Sequence, residues 1–478
     1  MTSCDVLIIG AGLSALQAAR TLQTSSPESS RKIVLLEARN RVGGRAFTHS
    51  YALDAHVDLG CSMIHGYYEG NPARGLLREL EMDVHIPEGA KGLVYGDEGP
   101  LTEADSTSLF ATSTQMAFKP SPDTTPADKS VADLLFPTLK EKDERLIAIA
   151  RTGEIGAGVE LERTSAKWTG FEKGVGGTDA FPEGGYSEVI KNLVADFKSQ
   201  GGQLELEQQV VSLKDLSTEK GVEVTTRSGS TFTAKYVIST IPLAVLQKDP
   251  PTFEPPLSKT FQSAVERTLV GNLEKIVLQY SEPWWPSPET NGSFLLLPLS
   301  TSPYSPSESA TAPPPKTLEE LFERTTIPIV NFYRIGSTPH PTLLAYIGAT
   351  AARHLSNFSS SEISSSLHRY LVRRLSSPNA QSVSEPISFV VTTWTSDPYS
   401  LGATSTPTTL LTSADGTHAS PLDFVVLSRA EWDGRLGWAG EHTDLDNHGS
   451  VCGALVSGKR EGERVGLLLE AEERKRGK

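Results

Sequence analysis

The stretch Asp5-Val6-Leu7-Ile8-Ile9-Gly10-Ala11-Gly12-Leu13-Ser14-Ala15, taken up again by Ile33-Val34-Leu35-Leu36-Glu37, decides how this chain folds. Val6 to Ile9 is apolar without alternation, the pattern of a strand buried on both faces. Gly10 suits a sharp turn, and a helix is predicted to start near Leu13. Gly12, lacking a side chain, lets a pyrophosphate approach the amides at the helix N-terminus. Ala15 stands where the pattern usually has a third glycine, a position that needs only a small residue for helix–strand packing. Glu37 ends the second apolar run, 22 residues beyond Ala15, where a carboxylate can accept hydrogen bonds from ribose hydroxyls. A lone glycine motif is a weak signal. Strand, turn, helix, strand and acid in register predict a dinucleotide site in a Rossmann-like α/β domain.

Ala38-Arg39-Asn40-Arg41-Val42-Gly43-Gly44-Arg45 follows at once. The other reading of this stretch is an exposed basic turn after a strand. Joined to Glu37, it resembles the second flavin signature of the flavin-containing amine oxidase family. In that family the double glycine passes close to the diphosphate, and the arginines supply charge-assisted hydrogen bonds. The resemblance implies FAD rather than NAD.

Bulk properties agree with an enzyme in aqueous solution. At 478 residues the chain is long for a single core. The formal charge of -14, from 44 basic and 58 acidic residues, disfavours nucleic acid and anionic membrane as partners. Cys4, Cys61 and Cys452 are too few and too scattered for a disulfide framework or a zinc site, and suit a reducing compartment. No apolar run reaches the length of a membrane span. The first strand begins near residue 5, leaving no room for a signal peptide. The expectation is a cytoplasmic protein that binds no metal, as a monomer or homodimer.

Two stretches read as irregular: Lys119 to Pro126, and the Pro/Ser/Thr-rich Pro298 to Lys316. Ile363, Leu367, Tyr370, Leu371 and Leu375 recur at helical spacing and predict an amphipathic core helix. Gly184-Gly185-Tyr186 leads into another apolar helix. Runs at Leu204 to Leu206, Val210-Val211, Val222 to Thr226 and Tyr236 to Leu243 predict strands. The tail Glu472 to Lys478 is predicted to fray.

Further along, the resemblance sharpens. Thr240-Ile241-Pro242-Leu243 matches the family closely, as does Trp438-Ala439-Gly440-Glu441-His442-Thr443 followed by His448-Gly449-Ser450-Val451-Cys452-Gly453-Ala454. The pattern is most similar to the fungal and animal polyamine oxidases. It implies the amine oxidase fold, with a discontinuous FAD-binding domain of residues 1–88, 182–250 and 420–478. An inserted α+β substrate-binding domain would comprise 89–181 and 251–419. Cofactor contacts are implied for Gly10, Ala11, Gly12, Leu13, Ser14, Glu37, Ala38, Arg39, Gly43, Gly44 and Arg45. They are also implied for Gly60, Cys61, Ser62, Met63, Val210, Thr240, Trp394, Gly440, Glu441, Ser450 and Val451. In the family, the amides around Ser450 and Val451 open a helix facing the flavin's pyrimidine edge, where a helix N-terminus stabilises negative charge.

Lys275, before Trp284-Trp285-Pro286, matches the family lysine that holds a water against the flavin; a lone lysine in a strand is ordinarily solvated. His65, in Asp58-Leu59-Gly60-Cys61-Ser62-Met63-Ile64-His65-Gly66, coincides with a histidine typical of polyamine oxidases. Its neutral imidazole would accept a hydrogen bond from a substrate amine, and a purely structural histidine is the other reading. Ala403 stands where monoamine oxidases carry the cysteine that tethers flavin covalently, so FAD is expected to be noncovalent. Asn447 replaces an aromatic residue found in some relatives, which leaves the substrate open. Neither a chromatin-targeting helical domain nor a coiled-coil tower is visible, which counts against a histone demethylase. The expected partners are a small amine, a polyamine by this resemblance, and oxygen, with hydrogen peroxide as product. An oxidase of another amine or amino acid, or a flavin-binding protein without turnover, remain alternatives.

Overall fold

Val6 to Ile9 and Ile33 to Leu36 pair in parallel, Val6 opposite Ile33 and Ile9 opposite Leu36, and all eight side chains are buried. The computed structural model describes residues 2–25, 31–50, 56–115, 123–171, 176–216, 221–302, 305–308, 312–376 and 383–476. The strand Thr2–Ile9 lies at the centre of an eight-stranded sheet. Ile33–Leu36 and then Gln203–Glu205 flank it in parallel on one side. Thr231–Ser239 runs parallel on the other, and Leu436–Trp438 adds in parallel to the end of that strand. Antiparallel Val222–Thr226 and Val210–Asp215 extend the sheet, and Thr252–Glu254 closes it.

The unbroken apolar runs follow from cover on both faces. Val6, Ile8, Ile33 and Leu35 face the helices Leu13–Ser25, Tyr186–Ser199 and Val451–Arg476. Leu7, Ile9, Val34 and Leu36 face a second core with Phe261, Phe424 and Trp438.

The last helix sits directly on the first. A Cβ at Gly458 would lie 2.3 Å from the Ser14 carbonyl oxygen, and one at Gly462 would lie 2.7 Å from the Thr21 Cβ. Two glycines four residues apart thus form a groove for the first helix, with Ser14 Oγ and Ser457 Oγ 3.5 Å apart across it. The expected frayed tail is corrected here: the helix continues to Arg476. Glu472 accepts a 2.6 Å hydrogen bond from the Tyr236 hydroxyl, which holds that turn to the sheet. Residues 477–478 lie outside the described residues.

A seven-stranded, mostly antiparallel sheet forms the second core. Its order is Ser388–Val391, Leu273–Gln279, Thr342–Gly348, Ile327–Asn331, Asn291–Leu296, Lys91–Gly96, Gly99–Pro100. The helix Ser360–Leu375 covers it, with Ile363, Leu367, Tyr370, Leu371 and Leu375 all buried, as their spacing predicts. Of the two irregular stretches, residues 119–122, 303–304 and 309–311 lie outside the described residues. The described part of the second holds only a short 3-10 turn, Pro306–Glu308. All three cysteines are free.

Candidate active site

Gly10 turns out of the first strand with φ +107°, and a Cβ there would lie 2.3 Å from Thr240 Oγ1. That hydroxyl is itself spent on the Ile9 carbonyl at 2.7 Å. Gly12 is different in kind: the nearest atom to a Cβ there would be the Gly43 carbonyl oxygen at 3.7 Å. A Cβ at Gly44 would meet only the Gly12 Cα, at 3.8 Å. The 43–45 turn is bonded to the first turn through Gly43 N–H and the Ala11 carbonyl, 2.8 Å. The glycines thus form a backbone cradle clear of side chains at the start of helix Leu13–Ser25, and these residues fit a diphosphate. Glu37 accepts from the amides of Ala11 and Arg39, both at 2.9 Å. Burial pushes its carboxyl above the usual range, against those two donors.

Arg39 is held by Asp397 at 2.6 Å and lies over the Tyr399 ring. Beside it opens a cavity of about 530 Å³, lined by Ala38, Arg39, Arg41, Gln209, Arg227 and Tyr399 among others. Val210 itself is buried in the sheet. Arg45 reaches the other end of the cradle, donating to the Ala403 carbonyl and to Glu441, the latter at 2.9 Å. Both oxygens of Glu441 are engaged: one also accepts from Ser405 Oγ at 2.7 Å, the other from Gly449 N–H at 2.9 Å. Burial alone would raise its pKa, yet Arg45 and these donors hold it below the usual range. Gly440 N–H donates to Ser457 Oγ. Ser450 Oγ caps the last helix, accepting from Gly453 N–H at 3.2 Å.

Lys275 lies in the strand Leu273–Gln279 but is 4% exposed. Its ammonium donates to the carbonyls of Asp58 (2.7 Å) and Gly60 (2.6 Å) and to Ser62 Oγ (2.6 Å), beneath the Tyr346 ring. Burial pushes its pKa down to about 8, with Asp58 opposing. Trp394 Nε1 donates to the Leu59 carbonyl at 2.9 Å. The segment 58–62 is therefore pinned by a lysine from the second sheet and by a tryptophan in the turn that follows that sheet's edge strand Ser388–Val391. Asp58 fixes its start by accepting from Thr48 Oγ1 (2.5 Å) and Tyr186 N–H (3.0 Å). Within the segment, the Cys61 thiol is pushed up by burial.

Three residues on from Ser62, and so within about 11 Å of it, His65 has a side chain 57% exposed. Its Nδ1 lies 3.1 Å from Asp179 Oδ2.

A family model for flavin containing amine oxidoreductases matches residues 11–466. The chain belongs to this family. It is 26% identical to Polyamine oxidase 4 of Oryza sativa subsp. japonica, over 95% of this chain and 87% of that protein. It is 28% identical to Lysine-specific histone demethylase 1 homolog 2 of Arabidopsis thaliana, over 97% and 58% of the two chains. It is 25% identical to Amine oxidase [flavin-containing] B of Sus scrofa, over 97% and 86%. The family's cofactor is FAD, and the backbone cradle at Gly10, Gly12, Gly43 and Gly44 suits its diphosphate. Among the described residues no helix is long and apolar enough to cross a membrane.

Sequence reasoning missed two groups within this site. Glu274, 2% exposed, accepts from Thr392 Oγ1 (2.5 Å) and from the amides of Trp394 (3.0 Å) and Thr395 (2.7 Å). It thereby seats Trp394, and burial raises its pKa. Asp397, which no motif singles out, engages Arg39. Neither had a local signal, because each is defined by partners more than a hundred residues away.

Proposed function

We propose that the chain is an FAD-dependent oxidase of amines and that polyamines are its substrates. The observation that carries this reading is the buried Lys275 ammonium on the 58–62 segment, with the exposed His65 imidazole only three residues beyond. Bound FAD would accept hydride from the carbon alpha to the amine nitrogen and, reoxidised by oxygen, give hydrogen peroxide. The protein's part is to present that amine neutral, since only a nitrogen lone pair stabilises the departing hydride's carbon. His65 would bind the neutral nitrogen as an acceptor, and the imine product would hydrolyse to aldehyde and amine. Lys275 would place positive charge where oxygen gains electrons; releasing Ser62 from its three acceptors would free one hydrogen for a water. Glu441, Ser450 and Val451 would shape the flavin end of the cradle, and Glu37, Ala38, Arg39 and Val210 the ribose and adenine end.

An oxidase of amino acids would need a cation to clamp the substrate carboxylate. The buried arginines among the described residues are already engaged: Arg151 by Glu154 and Glu162, Arg267 by Asp423, Arg374 by backbone carbonyls, Arg435 by Asp215. The two-domain division belongs to this reading. The eight-stranded sheet draws its strands from the segments assigned to FAD, apart from Thr252–Glu254 just beyond the boundary at 250.

Anaerobic mixing with spermine, spermidine, acetylated polyamines, monoamines and amino acids tests the proposal. Polyamines should bleach the flavin fastest, and peroxide should appear when oxygen is readmitted. Bleaching by monoamines or amino acids alone would overturn the substrate class, and no bleaching by any amine would overturn the enzyme reading.

A further inference from the structure

His65 is exposed at its ring but held firmly at its backbone. Ile64 N–H donates to the Ala180 carbonyl at 2.8 Å, Ala180 N–H returns to Ile64 at 3.2 Å, and Tyr67 N–H donates to Thr178 at 2.7 Å. Asn71, itself 4% exposed, donates its Nδ2 to the carbonyls of both His65 and Gly66 at 3.0 Å. Asp179 lies on one of these two strapped segments, between the anchored Thr178 and Ala180. Its Oδ1 accepts from Gly66 N–H at 3.2 Å, and its Oδ2 faces His65 Nδ1 at 3.1 Å. An exposed contact of this kind contributes little to stability even when it is charged, so stability does not account for a carboxylate so closely constrained.

We propose that Asp179 is a positioning residue that holds His65 with its proton on Nδ1, leaving the Nε2 lone pair for the substrate amine. The proposal rests on the reading of His65 given above. An ionised carboxylate only accepts hydrogen bonds, and a neutral imidazole carries one N–H, so the nitrogen facing Asp179 must be the protonated one. Because Oδ1 is tied to Gly66, the carboxylate cannot turn away and release the ring. The same tie makes the isosteric amide informative. In Asp179→Asn, the carbonyl oxygen must stay with Gly66 N–H, and the NH2 group then faces Nδ1. That donor requires Nδ1 to accept, which moves the ring proton to Nε2 and removes the acceptor that the amine needs.

The test uses the FAD-loaded enzyme labelled with 15N-histidine, at about pH 8.5, where an ordinary imidazole is neutral. The His65 signals are identified by their loss in His65→Ala. Long-range 15N–1H spectra should show Nδ1–H in the wild type and Nε2–H in Asp179→Asn. The limiting rate of flavin reduction by spermine should fall about tenfold or more in Asp179→Asn, less in Asp179→Ala, and no further when either is added to His65→Ala. A wild-type ring protonated on Nε2, or a tautomer unchanged in Asp179→Asn, overturns the proposal while leaving the His65 reading intact if His65→Ala is slow. If His65→Ala reduces at the wild-type rate, the His65 reading falls, and the positioning role falls with it.

Discussion

Lys275 directs all three of its ammonium hydrogens at the 58–62 segment, and its pKa of about 8 places a charge change within a workable pH range. If it supplies positive charge to oxygen, Lys275→Met should slow flavin reoxidation by roughly tenfold or more, at least ~1.4 kcal/mol in the barrier. Wild-type reoxidation should also decline as pH rises through about 8, whereas the Met variant should be flat. Stopped-flow reoxidation across pH decides, and equal rates would remove the role. The stability sign is opposite to that of a paired lysine. Between about 8 and the ordinary value near 10.4, the unfolded chain binds more protons, so this lysine makes stability rise with pH. Glu274 offers a second test. Glu274→Ala leaves three donors without their acceptor, each at about 1–3 kcal/mol, so the unfolding free energy measured in urea should drop by several kcal/mol. A loss below about 1 kcal/mol would mean that the 392–395 turn has found other partners. At this scale the sequence was only half legible. Lys275 stood out because its neighbours match a known pattern. Its acceptors lie 213–217 residues earlier in the chain, and the donors to Glu274 lie 118–121 residues later.

The elements were more legible, because strand and helix periodicities are local. The runs Val6 to Ile9 and Ile33 to Leu36 announced strands covered on both faces, and Ile363 to Leu375 announced its helix. The end of the last helix has no apolar signal: Glu472 to Arg476 is polar throughout, and its contacts with Tyr236 and Arg31, distant in sequence, tie that turn down. The glycines at 458 and 462 were equally plain in the sequence, yet their use depends on which helix they meet. Gly458→Leu would drive a side chain into the Ser14 backbone. Overpacking of this kind costs about 1–3 kcal/mol, and it would tilt the first helix away from the cradle. The variant should melt earlier and hold FAD more weakly, as thermal unfolding and flavin fluorescence would report. Unchanged melting and unchanged FAD retention would show that the two helices can part without consequence.

Within the whole molecule, two buried histidines make their own contribution to stability fall in acid, while the buried Glu154 carboxyl, raised to about 7, contributes with the opposite sign. Burial pushes His442 and His340 down to about 4, so both stay neutral in the fold and take up protons once it opens. At these two sites the unfolded chain binds the extra protons between about 4 and the ordinary histidine value near 6.5, so the histidines' contribution to stability should fall as pH drops through that window. His442 adjoins Glu441 and Gly440, so FAD should leave with the fold, and full acid precipitation should put free FAD in the supernatant. A yellow pellet would mean a covalent link despite Ala403. Melting curves from pH 7 to 4 should be steeper for the wild type than for His442→Asn, and parallel curves would remove His442 as a cause.

The seating of the last helix on the first also sets an order of events during synthesis. Ser14 and Ser457 meet across 443 residues of chain, which at 5–20 residues per second is roughly 20–90 s of translation. Until the later helix emerges, the face of the first helix that will receive it stays uncovered, and the first strand must wait for Thr231–Ser239 as well. The cradle for the cofactor is thus written first and completed last. A nascent chain of this protein should carry sticky apolar surface for most of its synthesis, and chaperones would find their longest engagement at its beginning.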